Sequence, residues 1–304
     1  MDFYPIQFSF VKKKGEKKKE RKEMIKFAGC QTPVIADKEA NIANALAAIK
    51  RAVEEGGAQL VALPEMFNCP YSNKVFREYS EPIPGPTTEK LGAAAKAHGI
   101  YLIGGSIPEL EAATGRVYNT CCVFDPKGTL IAKHRKVHLF DVDVPGGISF
   151  HESETLSAGN SATYFDVVLP QATLRVGVGI CFDMRFTELS TVMSTVHGCQ
   201  MIVFPGAFNM TTGPAHWDLL LRSRALDAQA YVAGVAPARD VDGVYVSYGN
   251  TCVVSPWGDF VAHADEKETI VYADIDLSKI DSVRQSIPVL KNRRSDVYGT
   301  IVKN

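Results

Sequence analysis

The sequence predicts an α/β protein: a four-layer α–β–β–α sandwich with two mixed β-sheets and an internal pseudo-repeat. Three observations predict it. From Met24 onward, short apolar runs of strand length alternate with stretches of helical periodicity. Several of the runs are apolar throughout, as in strands covered on both faces. Three segments also recur in the same order: VALPEMFN (61–68) resembles IVFPGAFN (202–209), IYLIGGSIPE (100–109) resembles AYVAGVAPAR (230–239), and NTCCVFDPKG (119–128) resembles NTCVVSPWG (250–258). Each half is then a sheet covered by helices on one side, and the halves bury their open faces against each other.

The elements follow in order. IKFAGCQ (25–31) reads as a strand. Asp37 to Gly56 predicts a helix, with Ile42, Leu46, Ile49 and Val53 at spacings of three and four and Gly56-Gly57 as its stop. QLVALPE (59–65) is a short strand, and Thr87-Thr88-Glu89 opens a second helix ending near His98-Gly99. IYLIGGSIPE is a strand, and NTCCVFDPKGTLIAKHRK (119–136) is a hairpin turning at Asp125-Pro126-Lys127-Gly128. TLRVGVGIC (173–181) is another strand. Phe186 to His197 is helical, QMIVFPG (200–206) is a strand, and His216 to Gln229 is a longer helix. AYVAGVAPAR and a hairpin around Ser255-Pro256-Trp257-Gly258 complete the set.

Composition narrows the function classes. The chain has 304 residues, 46% of them hydrophobic, with a formal net charge of -1, so it carries no overall electrostatic case for nucleic acid or an acidic membrane. Seven cysteines, an odd number without CxxC pairs or a secretory signal, point to a reducing intracellular setting. The cytoplasm is expected, with the mitochondrion as the alternative. His134 and His138 lie four apart without a completing ligand, so no metal is expected. VKKKGEKKKERKEM (11–24) is dense in charge, and residues 1–23 are expected to form a basic, solvated extension.

The repeat exposes an asymmetry. Glu65 follows the proline of the first half, where the second half has Gly206; Lys136 ends the first hairpin, where the second has Asp265. A carboxylate at the end of an apolar strand is costly unless paired, and desolvation lifts its pKa into the range of a general base. A loop-facing Glu is the alternative. Strand alternation turns Lys136 away from Arg135 and Val137, where its ammonium would neutralise a carboxylate or stabilise an oxyanion; Lys133 and Arg135 read as a solvated hairpin end. Cys181 closes an apolar strand. It is either the last core residue there or a nucleophile, its thiol pKa lowered by a nearby lysine or by the helix beginning after Arg185. The other six cysteines read as packing.

Together LPEMFN around Glu65, HRKVHLF around Lys136 and GICFDMRF around Cys181 resemble the nitrilase superfamily of carbon-nitrogen hydrolases, from Ile25 to about Tyr298. The resemblance implies a single domain over 24–304 and a catalytic set of Glu65, Lys136 and Cys181, with Glu152 orienting Lys136 or substrate. It also implies no metal or organic cofactor. The expected assembly is a homodimer or higher oligomer, with IPVLKNRRSDVYG (287–299) as a tail at the subunit interface. FNCPYS, PGGISFHES, CFDMRF and PGAFNMTTGPAHW are similar to the ω-amidase branch, although Cys69 and Ser72 stand where a serine and a glycine are expected. That likeness implies a small-molecule amide substrate: the ω-amide of dicarboxylate monoamides such as α-ketoglutaramate and α-ketosuccinamate, hydrolysed through a Cys181 thioester. The Phe182 N–H would serve the oxyanion. Arg185 would take the substrate's free carboxylate unless Asp183 or Glu188 claims it. Phe208, Thr211 and Thr212 would wall the pocket and Tyr71 would stand near its entrance. Another amidase or an N-carbamoyl amino-acid hydrolase is the alternative enzyme, and a non-enzymatic scaffold the alternative class.

Overall fold

Two six-stranded sheets carry the fold. The computed structural model describes residues 24–243, 245–300 and 302; the basic extension expected over residues 1–23 lies outside the described residues. In chain order the elements are β1 (Met24–Gln31), α1 (Lys38–Glu54), β2 (Leu60–Ala62), α2 (Phe76–Tyr79), α3 (Pro86–His98), β3 (Tyr101–Glu111), β4 (Arg116–Phe124) and β5 (Leu130–Arg135). A short hairpin, β6 (Asp141–Asp143) and β7 (Ser149–His151), leads to β8 (Thr163–Leu169), β9 (Ala172–Val178), α4 (Thr187–Thr195) and β10 (Met201–Pro205). Then come α5 (Gly213–Ala228), β11 (Tyr231–Val235), β12 (Cys252–Val254), β13 (Phe260–His263), β14 (Thr269–Asp276) and α6 (Leu277–Ser286).

The sheets run β14-β1-β2-β3-β4-β5 and β8-β9-β10-β11-β12-β13, so the pseudo-repeat is a repeat of topology. In each, three central strands are parallel and the outer ones antiparallel. Alternation along the strands builds the layers. Phe27, Leu60, Ile103 and Val123 turn toward Val176, Val178, Met201 and Val203 of the second sheet in one core. Ala28, Val61, Leu102 and Phe124, one residue along, meet Ile42, Ile49, Leu91 and Ala95 of α1 and α3. On the far side Met193, Trp217 and Leu221 of α4 and α5 cover the second sheet.

Local chemistry explains the helix limits. The Asp37 carboxylate accepts from the Ala40 N–H at 3.0 Å to cap α1, and Gly99 takes the left-handed cap of α3 at φ +64°. α5 begins at Gly213, three residues before the expected His216, because Pro214 is tolerated in a first helical turn. Six elements fall outside those expected above: the short α2, β6 and β7, and also β8, β14 and α6. β8 and β14 are edge strands on β9 and β1, in corresponding places of the two sheets.

Lys133 and Arg135 are not the solvated pair expected. Arg135 bonds Glu109 through Nε (2.8 Å) and Nη2 (2.7 Å), and Lys133 Nζ reaches Glu109 Oε1 at 2.7 Å. Burial alone would raise the Glu109 pKa, but these two cations and the Thr120 hydroxyl lower it from 4.5 to about 2. The carboxylate therefore adds stability above pH 4.5 that is lost as pH falls toward 2. Acid unfolding of Glu109→Gln should show a shallower loss across that window than the wild type, read by circular dichroism; an identical slope would remove Glu109 from the account.

Candidate active site

The C-terminal ends of β2 and β9, and the segment after β5, converge at one point. Lys136 lies just past β5, and its backbone N–H donates to the Asn119 carbonyl at 2.8 Å, which fixes its side chain inward. It is fully buried. Its ammonium donates to Glu65 Oε1 at 3.0 Å and to Glu152 Oε1 at 3.0 Å. Glu65 also accepts from Asn119 Nδ2 at 2.8 Å and from the Ala207 backbone N–H at 2.8 Å. Glu152 accepts from the Tyr71 hydroxyl at 2.6 Å and from the Phe140 N–H at 2.7 Å. Every oxygen of the two carboxylates has a donor, which is what a buried ionic cluster requires.

Cys181 completes the group. It is 5% exposed and sits at φ +47°, a left-handed conformation unusual for a non-glycine residue. Met66, directly after Glu65, does the same at φ +48°. The strained turn around Cys181 is fastened by Asp183. Its carboxylate accepts from the Ile180 N–H (2.9 Å), the His138 N–H (2.9 Å), His134 Nε2 (3.0 Å) and His138 Nδ1 (2.8 Å). Burial would raise the Asp183 pKa, but those hydrogen bonds hold it well below the usual carboxylate range.

The electrostatics differ from one expectation. Burial, then the Glu65 charge, push the Cys181 thiol pKa well up despite Lys136. Residues 181–185 form a 3-10 turn, and α4 begins at Thr187. The thiol is therefore neutral at rest and needs a base to attack. Burial raises the Glu65 pKa, which suits its carboxylate to take the thiol proton. Lys136 would be lowered by burial, yet Glu152 and Glu65 raise it well above its ordinary value, so it stays charged.

The remaining residues divide. Phe140, Phe182, Arg185, Phe208 and Thr212 line a small cavity with Cys181. Thr211 is exposed and does not border it; its N–H turns instead to Asn209 Oδ1. Tyr71 is buried beside Glu152 and borders a larger cavity that also reaches Glu65.

Comparison with known proteins places this geometry in a family. The carbon-nitrogen hydrolase family model matches residues 26–285. The chain belongs to the carbon-nitrogen hydrolase family. It is 53% identical to omega-amidase NIT2 of Homo sapiens over 279 residues, covering 92% of this chain and 98% of the relative. Omega-amidase NIT2 of Xenopus tropicalis is 55% identical over 262 residues, 86% of this chain and 92% of the relative. Among solved structures, Nit3 of Saccharomyces cerevisiae, a member of the nitrilase superfamily, superposes with a TM-score of 0.81 at 44% identity, over 89% of this chain and 97% of that one.

In this carbon-nitrogen hydrolase Arg185 bonds neither Asp183 nor Glu188; among the described residues no carboxylate pairs with it. Its Nη1 donates to His216 Nδ1 at 3.2 Å, its buried Nε has no partner, and its guanidinium lies 4.8 Å from the Phe208 ring centroid. The Phe182 N–H is likewise free of protein acceptors among the described residues. Four contributors were not read from the sequence. Asn119 had a signal, since it opens the repeated NTC segment, and His134 and His138 were noted as a pair. Tyr245, whose hydroxyl donates to the Ala207 carbonyl at 2.5 Å, has none, because it lies in the irregular connection before β12. Asp218, Cys252 and His263 bring three metal-ligating atoms within 4.8 Å of one another, but His263 is already bonded to Asp218 and the group shares no residue with this site. No helix among the described residues is long and apolar enough to cross a membrane.

Proposed function

We propose that this carbon-nitrogen hydrolase is an ω-amidase acting on dicarboxylate monoamides, α-ketoglutaramate and α-ketosuccinamate. Arg185 carries the proposal: a half-buried guanidinium, without a carboxylate of its own, in the pocket that holds Cys181. An amide with a free carboxylate at its far end supplies the missing partner, and guanidinium is the cation best shaped to hold it. The relatives named omega-amidase support the same substrate class.

Glu65 takes the thiol proton as Cys181 attacks the amide carbon. Lys136 and the Phe182 N–H receive the negative charge on the carbonyl oxygen. Glu65 returns the proton to nitrogen, the C–N bond breaks and ammonia leaves a thioester. Water, deprotonated by Glu65, then forms the acid and regenerates the thiol. Glu152 holds Lys136 in place throughout. The acting form is a homodimer or higher assembly, with the exposed Leu219 and Leu226 of α5 among the surfaces available to it. Residues 287–293 of the tail run on their own chain, where Gln229 Nε2 donates to the Ile287 carbonyl and Arg293 Nη2 to that of Asp227.

Arg185→Met should raise KM for α-ketoglutaramate about 10- to 100-fold, the worth of a hydrogen-bonded charge pair. An amide lacking the second carboxylate should lose far less. Ammonia release from α-ketoglutaramate, measured beside N-carbamoyl-β-alanine, decides the substrate class. Preference for the carbamoyl compound, or equal loss on both amides, would overturn the proposal.

A further inference from the structure

Two cavities meet at the reacting group, and they face different partners. The smaller, about 10 Å3, is bordered by Cys181 and Arg185 but not by Glu65. The larger, about 250 Å3, is bordered by Glu65 and Tyr71 but not by Cys181 or Arg185. Only Ala207 and Tyr245 border both. The Ala207 N–H donates to Glu65 Oε2 at 2.8 Å while its carbonyl accepts from the Tyr245 hydroxyl at 2.5 Å. Tyr245 in turn packs on Tyr71, ring centroids 4.6 Å apart. One peptide group and one phenol therefore separate the two cavities.

We propose that the larger cavity is a port through which ammonia leaves Glu65 and hydrolytic water reaches it, separate from the pocket that receives the acyl chain. The proposal rests on the amidase chemistry above. In acylation the S–C bond forms and the C–N bond breaks, and the thiol proton passes through Glu65 to nitrogen, which departs as ammonia. In deacylation an O–C bond forms and the S–C bond breaks, and a proton of water passes through Glu65 back to sulfur. Ammonia and water thus use the same side of the acyl carbon, the side of the base. The smaller cavity holds about one water and is filled once an acyl chain lies against Arg185. The larger has room, and it reaches Glu65 directly. Asp240 and Asp242, exposed at its border, favour an ammonium ion over the carboxylate product.

Ala36 is exposed on the wall of this cavity, so Ala36→Trp narrows it without entering the core. With α-ketoglutaramate as substrate, kcat should fall about tenfold while KM stays at the wild-type value, the pattern of restricted release. Hydroxamate formation with hydroxylamine, a small nucleophile arriving by the same route, should fall with it. Ile35→Trp, at the exposed neighbour on the same wall, repeats the test if the first variant melts early. A raised KM with unchanged kcat would assign the cavity to the acyl substrate and overturn the port. Unchanged kinetics in both variants would overturn it too. A wild type that releases no ammonia would fell the amidase reading, and the port with it.

Discussion

Cys181→Ala should abolish ammonia release, lowering kcat by about 10^5- to 10^6-fold, the scale on which removal of a covalent nucleophile acts. The protein should stay folded. Alanine keeps the Cβ that fixes the φ +47° turn, and the fastening of that turn by Asp183 does not involve the thiol. A melting temperature within a degree or two of wild type, beside loss of turnover and of thioester trapping with substrate, is the expected pair of results. Activity surviving the change would remove Cys181 from the chemistry. Cys181→Ser should be almost as inactive, because a hydroxyl is far harder to ionise than a thiol and Glu65 is a weak base for it.

Lys136→Met combines the second-largest effect on rate with the largest on stability. It deletes an oxyanion donor, which costs about 10^2- to 10^3-fold in kcat. It also leaves Glu65 and Glu152 buried together without their shared cation. Breaking a fully buried ion pair in this way costs about 3–5 kcal/mol. The two penalties separate by pH. With the ammonium gone, the folded-state pKa of Glu65, already raised by burial, moves further above its unfolded value. Its protonated form is then stable in the fold below the unfolded pKa, and stability is lost as pH rises. The stability deficit should therefore shrink as pH falls through the carboxylate range, while the catalytic deficit should not recover. Adding Glu152→Gln should restore part of the stability at neutral pH and none of the turnover. Denaturant melts at several pH values check this, and a deficit independent of pH would contradict the charge-pairing account.

The three groups at the centre of the site were legible for different reasons. Glu65 and Lys136 were visible because the repeat carries an ionisable residue in one half and Gly206 or Asp265 in the other. Cys181 stood at a strand end with two readings open, and the resemblance to the nitrilase superfamily singled it out as the nucleophile. What holds them was not legible. Asp183 gathers Ile180, His134 and His138, which approach from two different sheets, and no sequence spacing encodes that meeting. The thiol pKa was expected to fall because lysine is near; it rises because burial outweighs one shared cation. Nor was the close packing at two glycines of β9 and its end legible: a Cβ on Gly177 would meet Met193 of α4 at 2.8 Å, and one on Gly179 would meet the Phe204 ring of the neighbouring strand at 2.6 Å. The layers themselves were readable, since alternation and the repeat both report on burial. The edge strands β8 and β14 were not, because an edge strand has one covered face and no counterpart among the repeated segments.

β14 has a consequence for how the chain is made. Among the described strands it is the last in sequence, yet it pairs with β1, the first of them, along all eight of its residues. While the ribosome is still extending the chain, the first sheet has a bare outer edge and an uncovered inner face, and β9 to β12 must arrive before that face is buried. Sheet pairing across such a span is slow and exposes the nascent protein to neighbours meanwhile. Emergence of β14, rather than completion of the Glu65 or Cys181 segments, is therefore the moment at which a nascent molecule first gains its closed sandwich. A nonsense mutation that removes only the final strand and helix leaves every candidate catalytic residue in place and still yields a chain destined for chaperones and proteases.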